Sequence, residues 1–148
     1  MDAMTAIEYR QASSASYRER ARCLNEAYVD YLVPLQVNAD QLARMDRLYD
    51  VSTDASIVAV ARERLVGMAL LSERSGRGWI SAVGTVPEYR RRGIAGQLFT
   101  EQKRHRSTDD LLQGVVIKGN TAPLDAAANM ADGILFQYWV THTIETSF

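Results

Sequence analysis

The apolar positions change their spacing twice along the chain, and each change predicts a different kind of element. Leu24, Ala27, Tyr28, Tyr31 and Leu32 recur three and four residues apart, which is the spacing of one helix face. Ser13 or Ser14 is the expected N-cap of this helix, and Pro34 is its expected stop. Asn38 with Gln41 three residues later predicts a capping box, after which Leu42, Met45, Leu48 and Tyr49 line a second helix. A short strand over Thr5–Tyr9 is expected ahead of both. Past Asp54 the helical spacing stops. Ile57–Ala61 and Leu65–Leu71 are continuous apolar runs, expected to form a hairpin about Arg62–Arg64 although no Asn-Gly pair marks the turn. Ser75-Gly76-Arg77-Gly78 predicts a loop, and Trp79–Val86 a third strand ended by Pro87. Helical spacing returns over Gly93–Arg106, with Ile94, Ala95, Leu98 and Phe99 inward. Leu111–Ile117 reads as a strand, Thr121–Ala131 as an alanine-rich helix capped by Gly133, and Ile134–Ile144 as a last strand region. The order β-α-α-β-β-β-α-β-α-β predicts one mixed α/β layered domain over residues 1–148.

Composition narrows the class. The 148 residues are 47% apolar and 24% charged, enough for one core that needs no disulfide or metal. A formal net charge of −1 lacks the basic excess of a nucleic-acid binder, so no nucleic-acid partner is expected. The basic residues are nonetheless clustered. Arg90, Arg91 and Arg92 precede the expected third helix, and Lys103, Arg104, His105 and Arg106 close it, which suits a phosphate-bearing small ligand. Cys23 is the one cysteine and reads as a small packed residue. With no Cys/His cluster there is no sign of a metal, and a reducing compartment is expected. No secretory-type leader and no run of roughly 20 apolar residues occurs, so a cytoplasmic protein without a membrane partner is expected.

The chemistry concentrates where a strand runs into an arginine loop that opens a helix: Val83-Gly84-Thr85-Val86-Pro87-Glu88-Tyr89-Arg90-Arg91-Arg92-Gly93-Ile94-Ala95-Gly96. A helix N-terminus has unpaired N–H groups and a partial positive charge, and glycine lets a phosphate approach the backbone. Arg91 or Arg92 could add a charge-assisted contact. The stretch resembles the acyl-CoA signature of the GNAT acetyltransferases, Gln/Arg-x-x-Gly-x-Gly/Ala, met here by Arg90, Gly93 and Ala95. The resemblance extends over nearly the whole chain, including Tyr28-x-x-Tyr31-x-x-Pro34 and the Trp79 strand.

That resemblance implies the GNAT fold, a mixed central sheet with splayed middle strands and flanking helices, and acetyl-CoA as co-substrate. It implies that backbone groups of Thr85 and Val86 pair with the pantetheine arm. The N–H groups of Arg91, Arg92, Gly93, Ile94, Ala95 and Gly96 would hold the pyrophosphate. An N–H near Val86 would polarise the thioester carbonyl, and Gly84 would sit at a bulge that opens the sheet. Asn120 matches the family asparagine that follows the next strand. The family's tyrosine, which often protonates the departing CoA thiolate, is missing after it: the chain reads Asn120, Pro123, Ala127 and then Gly133-Ile134.

The implied reaction is direct transfer of an acetyl group to a primary amine of a small molecule or peptide, with a homodimer in prospect. The missing tyrosine keeps open a second reading, a catalytically silent acyl-CoA-binding sensor or regulatory domain. Glu73 and Glu88 flank the central strand and are the candidate bases. Tyr138 would replace the missing acid if its strand turns it inward. Tyr28 and Tyr31, one helical turn apart, would either wall an acceptor pocket or pack as ordinary core. Asp30 could attract a cationic acceptor or be an exposed helix charge. His105 reads as matched to a helix dipole and His142 as surface or packing.

Overall fold

The computed structural model describes residues 5–30 and 36–105 in full, together with the backbone of three later strands. The described strands form a single seven-stranded sheet in chain order: β1 (Glu8–Gln11), β2 (Ile57–Ala61), β3 (Arg64–Arg74), β4 (Arg77–Thr85), β5 (Leu112–Ile117), β6 (Ile134–Val140) and β7 (Thr143–Ser147). Neighbours run antiparallel except β4 with β5 and β5 with β6, which are parallel. The described helices are α1 (Tyr17–Ala27), α2 (Ala39–Leu48) and α3 (Ile94–Lys103). The predicted mixed α/β layering is therefore present. The predicted helix over Thr121–Ala131 lies outside the described residues, as do Tyr31, Pro34, Asn120 and His142.

β2 is buried at every position and β3 from Leu65 to Ser72, which is why both read as unbroken apolar runs. Helices cover the two faces. A Cβ added at Gly84 would lie 2.9 Å from the Ala27 Cβ, so that face of the sheet carries α1. A Cβ at Gly67 would lie 3.3 Å from the Ile94 side chain, so the opposite face carries α3. Leu24, Leu42, Met68, Leu98 and Phe99 are buried between these layers. Cys23 is fully buried with them, and burial pushes its thiol up to about 12.

Several boundaries differ from the sequence expectation for local reasons. β1 starts at Glu8 rather than Thr5, because its pairing with β2 runs over Glu8–Gln11. Residues Ala12–Ser14 form a 3-10 turn, so Ser16 caps α1 instead of Ser13 or Ser14. Its hydroxyl accepts from the Glu19 N–H at 3.1 Å, and the Glu19 carboxylate accepts from the Ser16 N–H at 3.0 Å. α1 ends at Ala27 with Tyr28 as its C-cap, well short of Pro34. The Asn38–Gln41 capping box forms as expected, with bonds of 2.8 and 2.9 Å. Leu48 and Tyr49, however, are exposed at the end of α2.

The β2–β3 and β3–β4 hairpins use left-handed residues at their two central positions, Arg62 and Glu63 (φ 52° and 66°) and Ser75 and Gly76 (φ 53° and 77°). This is the backbone of type I′ turns, whose geometry matches strand twist. The first carries it on two charged residues, so the usual Asn-Gly mark is absent. The last strand region turns back on itself as β6 and β7, paired from Phe136 with Ser147 to Val140 with Thr143.

α1 and α2 are joined by a buried ion pair. An Arg20 Nη donates to the Asp46 carboxylate at 2.6 Å, with the two side chains 2% and 6% exposed. The Tyr17 ring covers the Arg20 guanidinium at 4.8 Å. Asn25 braces the return into α2, bonding the N–H and the C=O of Val37, both at 2.8 Å.

Candidate active site

The sheet parts in its middle. β4 and β5 pair only at Gly78 with Leu112, Trp79 with Gln113 and Ile80 with Gly114. Beyond that level β4 stays with β3 as far as Thr85, and β5 stays with β6 as far as Ile117. A gap therefore opens along β4 from Ser81 to Thr85. The bulge that accompanies it is at Ser81, since Leu70 pairs with Ala82 and Leu71 with Ile80. This corrects the expectation for Gly84, which pairs regularly with Met68. Position 84 is a glycine because α1 lies on it: besides Ala27, an added Cβ would come within 3.3 Å of the Tyr28 ring.

The hydrogen-bond register decides which backbone groups face the gap. The Val86 N–H donates to the Val66 carbonyl at 2.8 Å. In an antiparallel pair the bonding direction alternates, so Gly84 also faces β3 while Thr85 and Val83 face the gap. Of the groups expected at and near Val86, its own N–H is engaged with β3 and turned from the gap, while those of Thr85 and Val83 face it; the Val86 side chain is fully buried.

Tyr28 reaches into the gap. Its hydroxyl donates to the Val83 carbonyl at 2.8 Å and accepts from the Val83 N–H at 3.2 Å. The ring thus lies on Gly84 while the oxygen hooks onto the parted edge of β4. Sequence spacing offered Tyr28 only as a pocket wall or a core residue, because nothing in the period of α1 announces a bond to a strand 55 residues later.

Beyond Thr85 a 3-10 turn, Pro87–Tyr89, leads into the arginine loop. Arg91 has φ 62° and Gly93 φ 77°, with Arg92 between them outside that region. These left-handed turns lead straight into the first turn of α3, whose unpaired N–H groups make a concavity suited to an anion. Gly93 is also the N-cap of α3, and its carbonyl accepts the first helical bond, from the Gln97 N–H at 3.1 Å. A Cβ added at Gly93 or Gly96 would meet nothing within 4 Å, so the concavity is open. Ile94 turns its side chain into the core and offers the loop only its backbone, while Ala95 and Gly96 are half-buried.

The three arginines do different things. Arg90 points inward. Its guanidinium donates twice to Asp30 (2.6 and 2.9 Å), once to the Ala27 carbonyl (2.8 Å) and once to the Thr85 carbonyl (3.0 Å). It ties the end of α1 to the end of β4. Arg92 stacks 4.7 Å over the Tyr89 ring, and Arg91 is exposed. The hydrogen bond from Arg90 holds the Asp30 carboxyl below the usual aspartate range. Asp30 is thus engaged in an ion pair rather than waiting for a cationic acceptor. A depressed carboxyl keeps the tie intact above the unfolded aspartate value of about 3.9 and releases it as pH falls through the lowered one. A carbon NMR titration of Asp30 should give a midpoint below about 3.9, and Arg90→Lys should move it upward. An unchanged midpoint in the variant would contradict the tie.

The two candidate bases lie apart from the gap. Glu73 sits opposite Gly78, at the closed end of the β3–β4 hairpin, about 13 Å along the strand from the level of Val83. Glu88 is 64% exposed and turns toward the start of β3, with its carboxylate 4.0 Å from the Arg64 guanidinium, which also pairs with Glu26. Tyr138 stands in β6 opposite Val116 and Glu145; its side chain lies outside the described residues. Among the described residues no cluster of three or more potential metal ligands occurs, and no helix is long and apolar enough to cross a membrane.

Residues 17–105 match the family model described as the Acetyltransferase (GNAT) family. The chain belongs to the GNAT acetyltransferase family. No curated protein sequence matches it. Solved structures of similar fold include the diaminobutyrate acetyltransferase EctA of Paenibacillus lautus, in complex with L-2,4-diaminobutyric acid and coenzyme A. That likeness has a TM-score of 0.68 and 17% identity, over 86% of this chain and 75% of that one. YncA of Salmonella typhimurium, with acetyl-CoA, gives a TM-score of 0.65 at 17% identity over 85% and 79% of the two chains. A GCN5-related N-acetyltransferase from Sphaerobacter thermophilus is 26% identical over 66% of this chain, with a TM-score of 0.54. This chain spans about a third (32%) of that protein's length. Acetyl-CoA is the co-substrate that GNAT enzymes use.

Proposed function

We propose that the protein is an N-acetyltransferase that passes the acetyl group of acetyl-CoA directly to a primary amine of a small molecule or peptide. The observation that carries this reading is the continuity of the gap along β4 with the N–H concavity at Arg91–Gly96. One elongated donor can lie across both. The backbone of Arg91, Arg92, Gly93, Ile94, Ala95 and Gly96 holds the pyrophosphate, with the exposed Arg91 adding charge. The pantetheine arm lies against the gap-facing edge at Thr85 in the manner of an added strand. Acetyl-CoA supplies an activated acyl carbon and a thiol leaving group. The acceptor must arrive as a neutral amine, since the ammonium form has no lone pair, and its proton leaves to water or a base. Asn120, at the family's asparagine position, and Tyr31, on the segment after α1, complete the candidate set for donor and acceptor.

Calorimetric titration of the protein with acetyl-CoA and desulfo-CoA, followed by a CoA-release assay over a panel of amines, tests this. Micromolar binding of both ligands with amine-dependent release is expected. Binding without release to any amine or to water would favour a silent acyl-CoA sensor. No binding at millimolar ligand would remove the proposal.

A further inference from the structure

We propose that Tyr28, delivered from the end of α1, is the proton donor to the departing CoA sulfur. This rests on the acetyltransferase reading above.

Three features point to it. First, the hydroxyl lies in the gap itself. It bonds both main-chain groups of Val83 (2.8 and 3.2 Å), two residues toward the closed end from Thr85, where a donor running in from the Arg91–Gly96 loop would present its reacting end. Second, the position is built. Gly84 leaves room for the ring, and the C-cap of α1 sets its direction. Arg90 fixes that helix end through the Ala27 carbonyl and Asp30. Third, the two hydroxyl side chains of β4 along the gap are turned elsewhere. Ser81 Oγ donates to the Leu70 carbonyl at 3.2 Å, and the Thr85 hydroxyl lies on the α3 face, beside Gly67.

The chemistry balances without another reagent. The amine nitrogen forms a C–N bond to the acetyl carbon, and the C–S bond breaks with its electron pair on sulfur. The Tyr28 O–H proton turns from the Val83 carbonyl to that sulfur and completes CoA as a thiol. The Val83 N–H stays on the phenolic oxygen and stabilises the charge it takes up. The surplus proton on the new amide nitrogen returns to the tyrosine through water. Phenols near 10 and thiols near 8.5 lie close enough for the proton to pass as the bond breaks.

Tyr28→Phe keeps the ring on Gly84 and removes only the hydroxyl. Transfer from acetyl-CoA at saturating amine should slow on the order of a hundredfold, the lower end of acid–base contributions. The donor dissociation constant should change by less than about threefold. The alkaline limb of the pH–rate profile should disappear. A fluorinated tyrosine at position 28, a more acidic phenol, should move that limb to lower pH, which a merely structural role would not do. This second variant also serves if the phenylalanine variant folds poorly. Turnover within about threefold of the parent, or a limb that ignores fluorination, overturns the assignment while leaving the acetyltransferase reading in place. A parent that binds acetyl-CoA and releases no CoA to amines or water also overturns it. A parent that does not bind acetyl-CoA overturns both, and the calorimetry alone shows which has failed.

Discussion

Gly93→Asp should weaken acetyl-CoA binding on the order of a hundredfold, whereas Gly93→Asn should weaken it by about tenfold or less. Both variants place a side chain of the same size at a left-handed position, where asparagine and aspartate are the best tolerated residues after glycine. Space is not the obstacle, because a Cβ there meets no atom within 4 Å. Charge is the difference. A carboxylate at the N-cap of α3 would stand beside the bound pyrophosphate. Two like charges about 5 Å apart at an effective dielectric near 20 repel by roughly 3 kcal/mol, which is about two orders of magnitude in affinity. The carboxylate would also take up the N–H groups at the start of α3 that the phosphate needs. Calorimetry of both variants, with thermal melts to confirm folding, decides the matter. Equal binding by the two would mean that the pyrophosphate does not sit at this helix end, and the arginine loop would be an ordinary charged turn.

Asp46→Ala should cost about 3–5 kcal/mol of stability, a melting temperature lower by roughly 10 °C for a chain of this size. The substitution strips the counter-charge from an arginine that is 1% exposed. Arg20 Nε and one Nη already have no hydrogen-bond partner, so the site has little left with which to satisfy a lone cation. The double variant Arg20→Met with Asp46→Leu should recover most of the loss, because paired removal of a buried ion pair is far milder than breaking it. Urea unfolding of the two singles and the double gives the cycle. A loss under about 1 kcal/mol in Asp46→Ala would show that water reaches the guanidinium and that the pair is a surface feature in disguise.

How far the sequence could be read depended on whether the signal was local. The Asn38–Gln41 box, the buried hairpin of β2 and β3, and the strand–loop–helix run through Gly93 are each encoded within a few residues, and each formed. The arginine loop is legible as a candidate anion site because helix ends and glycines act through the backbone. What a single stretch does not encode is partnership across the fold. Arg20 sits on an amphipathic helix like any surface arginine, and only Asp46, 26 residues away, makes its burial tolerable. Arg90 matched the family motif, yet nothing in the motif says that its guanidinium turns inward to Asp30, Ala27 and Thr85. Glu73 and Glu88 flank β4 in the sequence. The hairpin register carries Glu73 to the closed end, and Glu88 is exposed with its carboxylate toward Arg64. Gly84 looked like a bulge residue because bulges and close packing both favour glycine, and only the register separates the two.

The parting of β4 from β5 has a consequence for assembly as well as for chemistry. From Ser81 to Thr85 the strand is an edge enclosed within a sheet, and open edges invite strands from other chains to add on. Here part of that invitation is withdrawn. Tyr28 takes the N–H and the C=O of Val83, Arg90 takes the C=O of Thr85, and the bulge at Ser81 breaks the register a foreign strand would need. The side chains that fasten α1 to the gap therefore also leave a strand from another chain fewer groups to pair with.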